Sequence, residues 1–195
     1  MKNPYSYKAT VLTLIGLLLM SCAVKEPATS FFVLTQPGNT RIRQGCGTSV
    51  FVRRIEVAPY LAKTSLVEMK GSNQVTYAPT ARWAEPLDQG LSRAVADNLW
   101  QSFGIQAYSF LPATPPPDHN YDITIRLERF EGNDNGDVVL IARWSVLASS
   151  SAELLTGQTT EIHRSGWQPG NYAGLARLLS EEVVELSIEI GRAIR

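Results

Sequence analysis

Two cysteines and two histidines are all that this 195-residue chain has of the residue types that build disulfide frameworks and zinc centres, and its 18 basic residues are matched by 18 acidic ones. Two thiols cannot staple a small fold. Two imidazoles leave little for a metal centre or a histidine-based active site. A balanced charge withholds the basic face that nucleic acid requires, so no nucleic-acid partner is expected. The chain also has no Gly-x-Ser-x-Gly elbow, no P-loop, no His-Glu-x-x-His and no Cys-x-x-Cys. His119 and His163 stand in sequence without the company that acid–base or triad chemistry needs, and neither is a catalytic candidate. Finally, the apolar run Ala9–Leu19 falls short of the ~20 residues that span a bilayer. Together these absences point away from an enzyme, and no metal or catalytic residue is assigned. What remains is 44% hydrophobic, too apolar for a disordered tail, and of a length that suits one domain of about 100–200 residues.

The N-terminus carries an address. Lys2 and Lys8 precede the uncharged run, and Leu19-Met20-Ser21-Cys22 follows it. That pattern reads as a secretory signal rather than a membrane helix, and its end resembles the bacterial lipobox. An ordinary signal peptide with an incidental cysteine is the competing reading. In the lipobox resemblance, Cys22 takes a diacylglycerol through its thioether, cleavage follows Ser21, and the new amine takes an acyl chain, so the protein is anchored to a membrane without crossing it. No other cofactor is implied. Ala23 occupies the place where inner-membrane retention would put Asp, which favours the outer membrane. The organisation expected is residues 1–21 as signal peptide, 22–30 as lipidated tether and 31–195 as a single periplasmic α/β domain. Ala23–Ser30 reaches about 26 Å at ~3.3 Å per residue. Cys46, in Gln44-Gly45-Cys46-Gly47, then remains as the lone thiol: either buried and inert or paired between molecules, with burial expected.

Beyond the tether, Phe31–Thr35 and Ser49–Val57 read as strands, the latter ending before Pro59. Within it, one of Arg53 and Arg54 is expected to face outward and the other to lie at the sheet margin. Leu66–Lys70 and Gln74–Tyr77 flank Gly71-Ser72-Asn73 as a hairpin. Leu87, Leu91, Val95, Leu99 and Phe103 recur at steps of four, predicting a helix over 86–103 that starts on Pro86 and stops at Gly104. Ile105–Leu111 returns as a strand before the stiff loop at Pro112–Pro117. Tyr121, Ile123, Ile125 and Leu127 alternate with polar residues, and Val138–Leu147 is apolar nearly throughout. Asn133-Asp134-Asn135-Gly136-Asp137 joins them as a turn. Read as a calcium loop, that turn puts Ala142 where a bidentate Glu is required, and the match fails. Ser149–Gly157 reads as a loop and Gln158–Arg164 as a strand. Tyr172, Leu175, Leu179, Val183, Leu186, Ile190 and Ile194 mark a terminal amphipathic helix, with Glu181, Glu182 and Glu185 assigned to its exposed side.

Several of these pieces resemble one family. The lipobox at Cys22, the strand Phe31-Phe32-Val33-Leu34, the segment Arg82-Trp83-Ala84-Glu85-Pro86-Leu87 before a helix, the strand pair at Tyr121-Asp122-Ile123 and Val138–Trp144, and the terminal helix are similar to the ABC-type transport auxiliary lipoproteins, the PqiC/YmbA-like group. Cys46 and Pro115–Pro117 depart from that pattern. The resemblance implies a three-layer α/β fold with a mixed β-sheet and two long amphipathic helices, anticodon-binding-domain-like. It implies an outer-membrane, periplasm-facing, non-catalytic docking subunit. That subunit works with an MCE-domain (PqiB-like) protein and an inner-membrane component to move lipids or similar hydrophobic molecules, and a homo-oligomer would suit such an accessory. Trp and Arg are enriched in binding hot spots, which makes Arg82, Trp83 and Trp167 candidates for partner contact. The competing reading has Trp83 capping the core and Arg82 pairing with Glu85. The rival function is a periplasmic lipid-binding shuttle, which requires an enclosed apolar cavity.

Overall fold

The computed structural model describes residues 27–35, 45–109 and 118–194. The signal segment, Cys22 and the loop at Pro115–Pro117 lie outside them. In chain order the described residues form β1 (Ser30–Phe32), β2 (Ser49–Val52), β3 (Glu56–Val57), β4 (Ser65–Lys70), β5 (Gln74–Trp83), helix α1 (Leu87–Phe103), β6 (Gln106–Ser109), β7 (Tyr121–Asn133), β8 (Asp137–Ala148), β9 (Leu154–Ser165) and helix α2 (Tyr172–Ile194).

β7 is the spine of a mixed, nine-stranded sheet. Along one edge it takes β8 antiparallel over nearly its whole length. Its other edge is shared in succession by β2, β3 and β4, all parallel to it, at Tyr121–Ile123, Arg126–Leu127 and Gly132–Asn133 respectively. The expected single strand over 49–57 is therefore two. Arg53 and Arg54 both turn to solvent in succession, reaching Asp122 and Asp88, while Ile55 turns into the core. Two consecutive outward side chains break the period-two alternation a strand requires. β9 continues the sheet beyond β8 and starts at Leu154, earlier than its glycine- and serine-rich approach suggested.

β5 also outruns its expected end at Tyr77 and continues to Trp83. Pro79 is tolerated because the β4–β5 ladder shifts register between Ser65 and Val67, so no regular bond is lost there. β1 lies parallel to the last residues of β5.

Both helices form as their apolar spacing predicts. Leu91, Val95 and Leu99 of α1 are buried, and Gly104, at φ 68°, closes the helix by donating its N–H to the Trp100 carbonyl. α2 buries Leu175, Leu179, Val183, Leu186 and Ile190. The helices meet where Gly191 lets the Phe103 ring approach: a Cβ there would stand 2.3 Å from it. Asn98 Nδ2 donates to Ser187 Oγ at 3.2 Å across the same seam.

The interior is filled by side chains. Leu91, Leu99, Ile105, Ile123, Leu127, Leu140, Leu175, Leu179 and Leu186 are each at most 1% exposed. Asp122, Glu131 and Glu182 are the buried charged residues among the described ones. Glu182, assigned from sequence to the exposed side of α2, is fully buried, because it lies three residues after Leu179 and four before Leu186, on the apolar stripe itself.

Candidate functional site

The end of the sheet where the first described residues enter the fold brings together Arg82 and Trp83, two of the residues singled out in the sequence. β1 pairs with β5 so that Phe31 stands beside Arg82 and Phe32 beside Trp83. Paired residues share a face, and successive residues alternate. Phe32 and Trp83 therefore turn inward, and Phe31 and Arg82 turn out. Trp83 is 5% exposed and stacks on Phe130, ring centroids 6.0 Å apart. Phe31 is 66% exposed and Val33 47%. Arg82 is exposed, but Glu85 is not its partner. Glu85 Oε1 accepts from Arg93 at 2.5 Å, and the same guanidinium donates to the Leu34 carbonyl at 3.2 Å and reaches Asp97 at 3.7 Å. These groups line an open groove of about 590 Å³ between the β1 exit and α1. Burial in that groove raises the Asp97 carboxyl above the ordinary range, and the nearby Arg93 charge partly offsets it.

Trp167 is also interior. Its ring lies over Gly132, where a Cβ would stand 2.4 Å away, and its Nε1 donates to the Asn171 carbonyl at 2.9 Å. The Trp167 backbone N–H donates to the Gly136 carbonyl. The indole thus fastens the β7–β8 turn to the start of α2. Of the three residues proposed for partner contact, only Arg82 offers its side chain to solvent. Trp83 and Trp167 belong to the core, because their place at segment ends says nothing about which way each side chain points. The exposed aromatic of this region is Phe31, and the signal for it lay in the pair Phe31-Phe32: in a strand, adjacent side chains cannot face the same side.

His119 Nε2 lies 3.4 Å from Asp122 and 3.1 Å from Ser149 Oγ, so carboxylate and hydroxyl share one ring nitrogen. Triad chemistry places them on opposite nitrogens. Asp122, moreover, accepts from Arg53 at 3.1 Å. His163 pairs with Glu161 at the surface. Cys46, expected to be buried, is exposed; its glycine-flanked segment runs along the surface, where its N–H donates to the Gly104 carbonyl.

A buried polar cluster lies under α2. Glu131 is fully buried and satisfied: it accepts from Arg129 Nε at 2.6 Å, from the Tyr60 hydroxyl at 2.8 Å and from the Phe130 N–H at 2.8 Å. Burial first, then the Glu131 charge, pushes the Tyr60 hydroxyl well above its usual range. Glu182 differs, since neither of its oxygens has a hydrogen-bond partner among the described residues. Desolvation lifts its carboxyl to about 8, against the pull of Arg164. Arg164 commits its terminal nitrogen to Glu185 at 2.7 Å.

Comparison with known proteins sets this geometry in context. The family model for the ABC-type transport auxiliary lipoprotein component matches residues 32–191. The chain is 24% identical over 140 residues to the intermembrane transport lipoprotein PqiC of Escherichia coli K12, covering 70% of this chain and 73% of that protein; the Shigella flexneri protein of the same name matches equally. Among solved structures, an uncharacterised protein at 20% identity superimposes with a TM-score of 0.73 over 87% of this chain and 100% of its own. A Xanthomonas campestris protein at 16% identity gives 0.64 over 83% of this chain and 92% of its own.

Proposed function

The chain belongs to the ABC-type transport auxiliary lipoprotein family, and from that premise we propose that it is a lipid-anchored, non-catalytic docking subunit of an MCE-type transport system in the bacterial envelope. In this reading a diacylglycerol and an acyl chain on Cys22 hold it to the periplasmic side of the outer membrane. The domain then presents a surface, including Arg82, to an MCE-domain partner that moves lipids or similar hydrophobic molecules. The observation that carries the reading is the family match over 32–191, which takes in nearly the whole described fold.

The packing supports docking over carriage. A shuttle must enclose its cargo, whereas the space between helices and sheet here is occupied by close-packed leucine and isoleucine side chains. The groove beside β1 is open and bordered by Glu85, Arg93 and Asp97, groups unsuited to acyl chains. No helix among the described residues is long and apolar enough to cross a membrane.

The test is capture of a C-terminally tagged chain from solubilised envelopes, beside a Cys22→Ala control. Recovery of an MCE-domain protein, reduced in the control, is expected. An anchored chain that brings no such partner but carries stoichiometric lipid would transfer the assignment to a shuttle. The same preparation, measured by mass photometry, reports whether copies of the chain associate.

A further inference from the structure

We propose that the outer face of the β1–β5 edge is a membrane-apposition surface, on which Phe31, Val33, Arg82 and Lys63 rest against the phospholipid headgroups of the leaflet that holds the anchor. The proposal rests on the reading of Cys22 as the lipid-bearing residue.

The surface combines the two chemistries an interfacial contact uses. Phe31 and Val33 are among the exposed large apolar side chains of the described residues. Arg82 is the cross-strand neighbour of Phe31. Lys63 stands on the segment whose next residue, Thr64, accepts the Trp83 N–H through its carbonyl at 2.6 Å. Its ammonium covers the Tyr77 ring at 4.0 Å. Neither Arg82 nor Lys63 has a carboxylate within ion-pair distance among the described residues, a property they share with Lys70, Arg126 and Arg192, whereas Arg53, Arg54, Arg93, Arg129, Arg143, Arg164 and Arg177 each have one. Two cations left without counter-ions beside two exposed apolar side chains match an anionic headgroup layer over an acyl boundary.

The occupant follows from where the chain leaves the fold. Five residue steps separate Cys22 from Pro27, the first described residue, and at ~3.3–3.6 Å per step they extend at most about 18 Å. β1 begins three residues after Pro27. The edge bearing Phe31 is therefore the part of the domain that the covalent tether holds nearest to the bilayer. An acidic edge there would be repelled by anionic headgroups; on this one Arg82 and Lys63 accompany the apolar pair, and the carboxylates nearest Val33, Glu85 and Asp97, share the Arg93 guanidinium.

The experiment uses the full lipidated chain in vesicles of phosphatidylethanolamine and phosphatidylglycerol. A Cys46→Ser background allows a single environment-sensitive fluorophore on Val33→Cys, or on Thr159→Cys of β9 as the remote control. Lipids carrying a headgroup quencher should quench the label at position 33 several-fold more than the label at 159. Phe31→Ser combined with Arg82→Gln and Lys63→Gln should bring the two together. Unchanged thermal melting will confirm that these exposed substitutions leave the fold intact. Intact-mass spectrometry reports the acyl chains on Cys22 in the same sample. A lipidated chain whose position 33 is quenched no more than position 159 overturns the surface alone. A chain without acyl mass overturns the anchor and the surface with it.

Discussion

Replacing Glu182 should make the protein more stable at neutral and alkaline pH, and the gain should grow with pH in a defined window. Its carboxyl is fully buried, has no hydrogen-bond partner among the described residues, and is lifted to about 8 by desolvation. Arg164, on β9, pulls it down, while Glu131 on β7 and Glu181 and Glu185 on α2 push it up. In the unfolded chain the same group titrates near its ordinary value, about 4.3. Below that pH both states hold the proton and the residue costs nothing through titration. Between there and about 8 the unfolded chain has lost a proton that the folded chain keeps, so stability falls by ~1.4 kcal/mol for each pH unit. Above about 8 the effect levels off. The accumulated cost at pH 7.5 is on the order of 4 kcal/mol. Glu182→Gln, which cannot ionise, should abolish the slope, and Glu182→Met, which fills the volume without an orphaned polar atom, should raise stability as well. Urea unfolding followed by circular dichroism at pH 5.5, 6.5, 7.5 and 8.5 measures both. If wild type and Glu182→Gln run parallel across that range, or if Glu182→Met is less stable than wild type at pH 8.5, the reasoning is wrong.

Two further substitutions test the packing. Trp83→Ala should cost about 3–5 kcal/mol, because it removes a buried indole stacked on Phe130, and a lowered melting temperature should precede any loss of partner binding. Binding lost at unchanged stability would return Trp83 to the surface. Gly191→Ala should destabilise by about 1–3 kcal/mol by driving a methyl into the Phe103 ring, and the double variant with Phe103→Ala should fall short of the sum of the single costs; simple additivity would show that the two positions do not touch.

Much of the architecture was legible in the chain. Apolar steps of three and four marked α1 and α2, and alternation marked β7, because burial of one face imposes those periods. Gly104 and the Asn133–Asp137 turn marked ends and reversals through backbone geometry. What periodicity did not reveal was direction and pairing. The break at Arg53–Ile55 depends on Asp122 and Asp88, which lie far along the sequence. The inward turn of Trp83 depends on its register against β1. Glu182 was misassigned because three neighbouring glutamates read together as a solvated side, although its own spacing from Leu179 and Leu186 placed it on the buried stripe. Arg82 and the family pattern were readable as short motifs. The exposed Phe31 and Val33 became visible only once strand pairing fixed which side each residue takes.

The way β1 is attached has a mechanical consequence. Tension arriving through residues upstream of Pro27 enters the domain at a strand of three residues, Ser30–Phe32, lying parallel to β5. Just beyond it the chain is gripped from several directions: the Phe32 carbonyl accepts from Ala84, the Leu34 carbonyl from Arg93 of α1, and the Thr35 N–H donates to Ser180 of α2. A pull along β1 loads these bonds side by side in shear rather than peeling them one after another. In the proposed lipid-anchored arrangement, strain is thereby handed to the sheet and to both helices at once, and the entry strand acts as a strain-relief fitting.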